Sequence, residues 1–104
     1  MSPEKTDTAR LIFTEEFTEE LADIVEMKGW CGLGMVELPN GTRFDVLFIE
    51  PTRLQSDLES HLRSGRVCVA EPGMIVIPKV TRDYMDAAVQ ELYKSGYFNS
   101  LKSI

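Results

Sequence analysis

Two cysteines, Cys31 and Cys68, and a single histidine, His61, are the residues of this chain best suited to chemistry. An imidazole oriented by Asp57, one helical turn before it, would activate a thiol for nucleophilic attack. That centre requires Cys31 or Cys68 to come within hydrogen-bond reach of His61, which the spacing neither demands nor forbids. The same residues make a poor metal site. Two thiols would need His61 and a carboxylate beside them, and none stands at a zinc-binding spacing. No catalytic residue, metal ligand or cofactor is therefore assigned from the sequence.

Each candidate also has a plain structural reading. Cys68 lies between Val67 and Val69 and reads as a small buried hydrophobe, whereas Cys31, next to Trp30 and among Gly29, Gly32 and Gly34, reads as the exposed thiol. A disulfide between them is disfavoured in a reducing compartment. His61 falls within an apolar helical stripe, so it is expected buried, with Asp57 or a backbone group as its polar partner. The glycines resemble a phosphate loop in composition only. They follow a helix and precede a strand, the reverse of the order that aims a helix N-terminus at phosphate.

These residues are positioned by a regular run of elements. After a loose tail, residues 1 to 8, and a short extended lead-in from Arg10 to Phe13, Thr14 caps a helix that Gly29 ends after Lys28. Phe17, Leu21, Ile24 and Val25 recur at helical offsets and form its apolar stripe. Trp30 to Ile49 then reads as a β-hairpin closed by Pro39, Asn40 and Gly41. Phe44, Val46 and Phe48 share one face while Leu47 and Ile49 share the other, so the second half of this hairpin is expected covered on both sides. Pro51 and Thr52 open a second helix with a buried stripe of Leu54, Leu58, His61 and Leu62, and Gly65 ends it. Arg66 to Ala70 and Met74 to Val80 form a second hairpin about Glu71, Pro72 and Gly73. Thr81 caps the last helix, whose core face is Met85, Ala88, Val89, Leu92 and Tyr93; after Gly96, Tyr97, Phe98 and Leu101 fold back onto the core.

The expected architecture is a single α+β domain over residues 9 to 104, in the order α-ββ-α-ββ-α. A four-stranded, mainly antiparallel sheet carries its helices on one face. Thr52-Arg53 and Ser64-Gly65 are echoed by Thr81-Arg82 and Ser95-Gly96, the outline of a ββα pseudo-repeat.

Composition narrows the function classes. A chain of 104 residues holds one core, and a domain of this size buries roughly 60–70% of its unfolded surface. Hydrophobic residues at 43% and charged residues at 27% are those of a globular domain rather than a disordered one. The longest apolar runs, Val46 to Ile49 and Met74 to Ile77, fall far short of the about 20 residues that span a bilayer, so no membrane role is expected. The N-terminus lacks the apolar segment of a secretion signal, which makes the cytoplasm the expected compartment. Asn40-Gly41-Thr42, formally a glycosylation sequon, is then only a turn.

The net charge of −6 is concentrated: three basic and eight acidic groups in residues 1 to 28 account for −5 of it. Arg43, Arg53, Arg63, Arg66 and Arg82 are scattered, which argues against nucleic acid as a partner. Glu15, Glu19 and Glu26 lie opposite the apolar stripe of the first helix, with Glu16, Glu20 and Asp23 along one flank. These six, with Trp30 as an apolar anchor, form the candidate surface for a basic protein partner. The expected role is a non-enzymatic protein–protein interaction module of the inhibitor, immunity-like or adaptor kind. The alternative is a small cysteine-dependent enzyme or redox protein pairing Cys31 or Cys68 with His61. The sequence does not set the oligomeric state.

Overall fold

The computed structural model describes residues 8–101; the tail expected over residues 1 to 8 lies almost wholly outside them. Strand β1 (Arg10–Phe13) leads into helix α1 (Glu19–Lys28), which is followed by β2 (Trp30–Glu37) and β3 (Arg43–Ile49). Helix α2 (Pro51–Arg63), strand β4 (Met74–Val76), helix α3 (Arg82–Ser95) and a short 3-10 helix (Tyr97–Ser100) complete the α+β domain. The four strands form one mixed sheet in the order β1-β2-β3-β4.

The β2–β3 hairpin is the one expected. Asn40 Oδ1 accepts from the Thr42 N–H at 2.9 Å, and Gly41 takes the positive φ of 90° that the turn requires. The ladder runs from Glu37 opposite Arg43 to Trp30 opposite Ile49, with one extra residue in β2 between Cys31 and Gly34. That bulge lies in the glycine-rich stretch. On the core face stand Leu11, Cys31, Val36, Phe44, Val46, Phe48 and Ile75, closed over by Val25 of α1, Met85 and Val89 of α3, and Phe98. The second half of β3 is covered on both sides as expected, since Phe48 and Ile49 are both buried.

Helix α1 starts later than the sequence suggested. Thr18, not Thr14, is the N-cap, its Oγ1 accepting from the Leu21 N–H at 3.1 Å. Thr14 instead prolongs the pairing of β1, donating its N–H to the Leu33 carbonyl at 2.9 Å. Phe17 stacks on Phe13 at 4.3 Å, and the Arg82 guanidinium lies 5.0 Å above the Phe13 ring. This aromatic corner holds the connection in place before the helix begins. Of the expected stripe, Val25 is buried and Leu21 half-buried, but Ile24 is exposed.

The second hairpin does not form. Arg66 to Ala70 is irregular, and β4 pairs parallel to β3, with Phe48 opposite Ile75. Helix α2 is therefore a β-α-β crossover, the connection a parallel pair demands. Gly73, at φ 74°, brings the chain against β3: a Cβ there would stand 2.4 Å from the Asp45 carbonyl oxygen. The fourth strand is β1 at the opposite edge, so the ββα pseudo-repeat is absent. Helix α2 contributes no buried residue, and its expected core stripe is uncovered at Leu58 and Leu62. Helix α3 and the final turn fold as expected, with Thr81 and Gly96 as caps and Phe98 in the core, although Ala88, Leu92 and Tyr93 are only half-buried.

On the face opposite the core, Glu37 sits across from Arg10 of β1 and from Arg43 of β3, and its carboxylate pairs with both. The hydrogen bonds from Arg10 and then Arg43 hold its pKa below the usual carboxylate value. A depressed carboxylate pKa contributes stability at pH values above the unfolded group's pKa, and the contribution is lost as the pH falls through the folded value. Glu37→Gln should therefore lower the urea midpoint at neutral pH, with the gap closing on acidification below about pH 4. A gap constant with pH would count against the triad. Phe48, fully buried at the centre of the sheet, sets the scale of the core: Phe48→Ala should cost about 3–5 kcal/mol in chemical denaturation. A loss below about 0.5 kcal/mol would be incompatible with that position.

Candidate functional site

The cysteine–histidine centre is not assembled. His61 Nδ1 lies 2.9 Å from the main-chain carbonyl of Cys68, which can only accept, so Nδ1 carries the proton. Neither thiol is a hydrogen-bond partner of the ring. His61 is half-buried rather than buried, because α2 does not pack its stripe into the core. Asp57 does not orient it; its carboxylate takes the Arg53 guanidinium at 3.1 Å, one turn back on the same helix.

The two thiols exchange the places expected of them. Cys31 faces Phe48 across the ladder and is wholly buried, and burial pushes its thiol pKa up against a smaller lowering by a backbone hydrogen bond at Leu33. Cys68 is exposed, because the Val67–Val69 stretch joins no sheet. Both are free thiols. Among the described residues no three His, Cys, Asp or Glu side chains are placed to share a metal ion.

The glycine-rich turn is filled by the protein itself. Gly29 ends α1 in the left-handed conformation at φ 71°, and a Cβ there would meet the Glu50 side chain at 2.6 Å. Gly32 lies beneath the Trp30 indole, whose ring atoms would stand 2.8 Å from an added Cβ. Gly34 opposes Phe48, Val46 and Leu11 on the core side. A carboxylate and an indole therefore occupy the ground that a phosphate loop would leave open.

Compared with protein-family models, curated proteins and solved structures, the chain finds no match.

The acidic surface is present, with altered boundaries. Glu19, Glu20, Asp23 and Glu26 lie exposed on α1, while Glu15 and Glu16 are exposed on the connection that precedes it. None of the six pairs with a basic side chain among the described residues. The same helix exposes Ile24 and Met27, the latter 80%, and the chain then delivers Trp30, exposed at 36%, directly after the Gly29 cap. Met27 is the member that sequence reasoning missed. The signal was an apolar side chain flanked by Glu26 and Lys28, off the stripe that the core requires.

The exchanged environments are open to direct measurement. In the native chain Cys68 should alkylate readily while Cys31 stays protected, and denaturant should expose both. Cys68→Ser should abolish labelling of the folded protein. Residual fast labelling in that variant would show Cys31 to be accessible.

Proposed function

We propose that the chain is a non-enzymatic protein-binding module that holds a basic partner against α1. The observation that carries this reading is the combination on one short helix of four exposed carboxylates, none of them paired with a basic side chain among the described residues, with exposed Ile24 and Met27, continued by Trp30. Like charges clustered this way give a field that speeds encounter with a basic protein, most strongly at low salt. Charge at a rim governs rate more than affinity, so the anchor is apolar: Met27 adapts its shape to a partner, and Trp30 supplies rigid area braced over Gly32. An inhibitor, immunity-like or adaptor role uses a surface of this kind without chemistry of its own. Two free thiols also suit the reducing interior of a cell. The enzymatic alternative has no support from His61, whose ring has neither thiol as a hydrogen-bond partner among the described residues.

For a partner isolated on the native chain, Glu20→Lys combined with Asp23→Lys should slow association about tenfold at low salt and flatten its salt dependence. Trp30→Ala should act mainly on dissociation. Rate constants unchanged by both changes would reduce α1 to solvated surface and overturn the reading.

A further inference from the structure

Strand β4 ends the sheet on one side, and its outer backbone is unpaired. The Leu47 N–H donates to the Gly73 carbonyl at 3.0 Å, and the Ile77 N–H to the Ile49 carbonyl at 3.0 Å. Alternate residues, Gly73, Ile75 and Ile77, therefore turn their main-chain groups toward β3, and those of Met74 and Val76 turn outward. The Met74 N–H is taken by the Glu71 carbonyl at 3.2 Å. That leaves the Met74 carbonyl and both main-chain groups of Val76 without a partner among the described residues. Val76 is 50% exposed. An open edge of this kind is a template for another strand.

Beside the edge lies a groove of about 390 Å³ between β4 and α3. Ile75, Ile77 and Pro78 line it on the strand side, and Tyr84, Ala88 and Leu92 on the helix side. Among the described residues Glu91 is the one charged side chain lining it, and it has no basic partner. The relative direction of the two walls follows from contacts at the other edge of the sheet. Arg82 lies over Phe13, and Gln90 Nε2 donates to the Ala9 carbonyl at 2.6 Å, so α3 runs against β1. It therefore also runs against β4, which points the same way as β1. Tyr84 accordingly stands at the Pro78 end of the groove and Glu91 at the Ile75 end.

We infer that β4 and α3 form a docking groove for an extended peptide segment of a partner protein, which adds a further strand antiparallel to β4, the more stable pairing per residue. One peptide residue exchanges both main-chain hydrogen bonds with Val76. Its two neighbours then turn their side chains into the groove, one against Ile75 and Leu92, the other against Ile77 and Tyr84, and both are apolar. An antiparallel peptide carries its C-terminal end toward Glu91, where a lysine or arginine supplies the missing charge. The ligand class is thus an apolar-x-apolar segment followed by a basic residue. No residue of α1 lines the groove, so the site is independent of the acidic surface.

The test is a selection of displayed random short peptides on the immobilised full chain, followed by binding of synthetic copies of the enriched sequences. The enriched peptides should share the apolar-x-apolar-basic pattern and shift the amide resonances of Val76 and Ile77. N-methylation of the peptide residue between the two apolar ones removes the N–H aimed at the Val76 carbonyl and should weaken binding about tenfold. The same change on a flanking apolar residue, whose N–H points away, should alter binding little. Glu91→Lys should convert the preference for a basic end into one for an acidic end, with circular dichroism checking the fold. No enrichment over a blank surface, resonance shifts confined to α1, or equal loss from both N-methylated peptides overturns the inference. In the lone chain the Val76 amide should exchange rapidly with solvent; slow exchange would assign the edge to the chain itself and overturn the inference. A chain that dimerises until Val76→Pro breaks the contact would assign the edge to a second copy, with the same consequence.

Discussion

The register between β2 and β3 is the constraint on which the rest of the molecule depends. Side chains alternate along a strand, so a slip of one residue would exchange every buried group for an exposed one. The Asn40-Gly41 turn fixes one end of the ladder, with Glu37 opposite Arg43. The bulge between Cys31 and Gly34 then shifts parity near the other end. Cys31 is consequently turned into the core against Phe48, while Trp30 lies outside over Gly32. A regular ladder without the bulge would exchange these two, with Cys31 opposite Ile49 on the outer face and the Trp30 indole forced inward. The bulge therefore decides both which cysteine is accessible and whether the candidate surface has an aromatic anchor.

The hairpin, the last helix and the cap residues Thr81 and Gly96 were legible because each is written in local pattern: alternation, helical offsets and turn chemistry. The thiol assignments were not, because a bulge is one residue of parity and a Gly-X-Gly stretch does not say where it sits. The start of α1 was misplaced for another reason. Thr14 and Thr18 are equally good caps by type, and what chooses between them is the stacking of Phe17 on Phe13 beneath Arg82, a contact with a helix some seventy residues later. Arg66 to Ala70 has the composition of a strand yet pairs with nothing, while β4 docks parallel to β3 because Gly73 can press on the Asp45 carbonyl. Composition reports a residue's fitness for a strand and carries no information about its neighbour.

The same distinction explains how much of the candidate surface could be read. The acidic character of α1 survives a helix that starts four residues later than expected, since charge density is a property of the segment rather than of its cap. Exposure of Met27, and of the apolar stripe on α2, is a property of what does not pack. A sequence shows amphipathicity but not its destination: the stripe on α3 enters the core at Met85 and Val89, whereas that on α2 leaves Leu58 and Leu62 exposed.

The crossover helix makes that difference physically intelligible. Helix α2 must exist, because a chain leaving β3 can return parallel to it only through a connection long enough to double back. That requirement sets its length and its two anchored ends, Glu50 accepting from the Arg53 N–H and Gly73 against β3, but not its side-chain contacts. The core cluster is closed by α1, α3 and Phe98, and α2 adds no buried residue to it. The topology therefore produces an anchored helix whose Leu58 and Leu62 stay exposed. Fold and surface are in this way separable: the sheet needs α2 only as a strap, and the core does not dictate its outward residues.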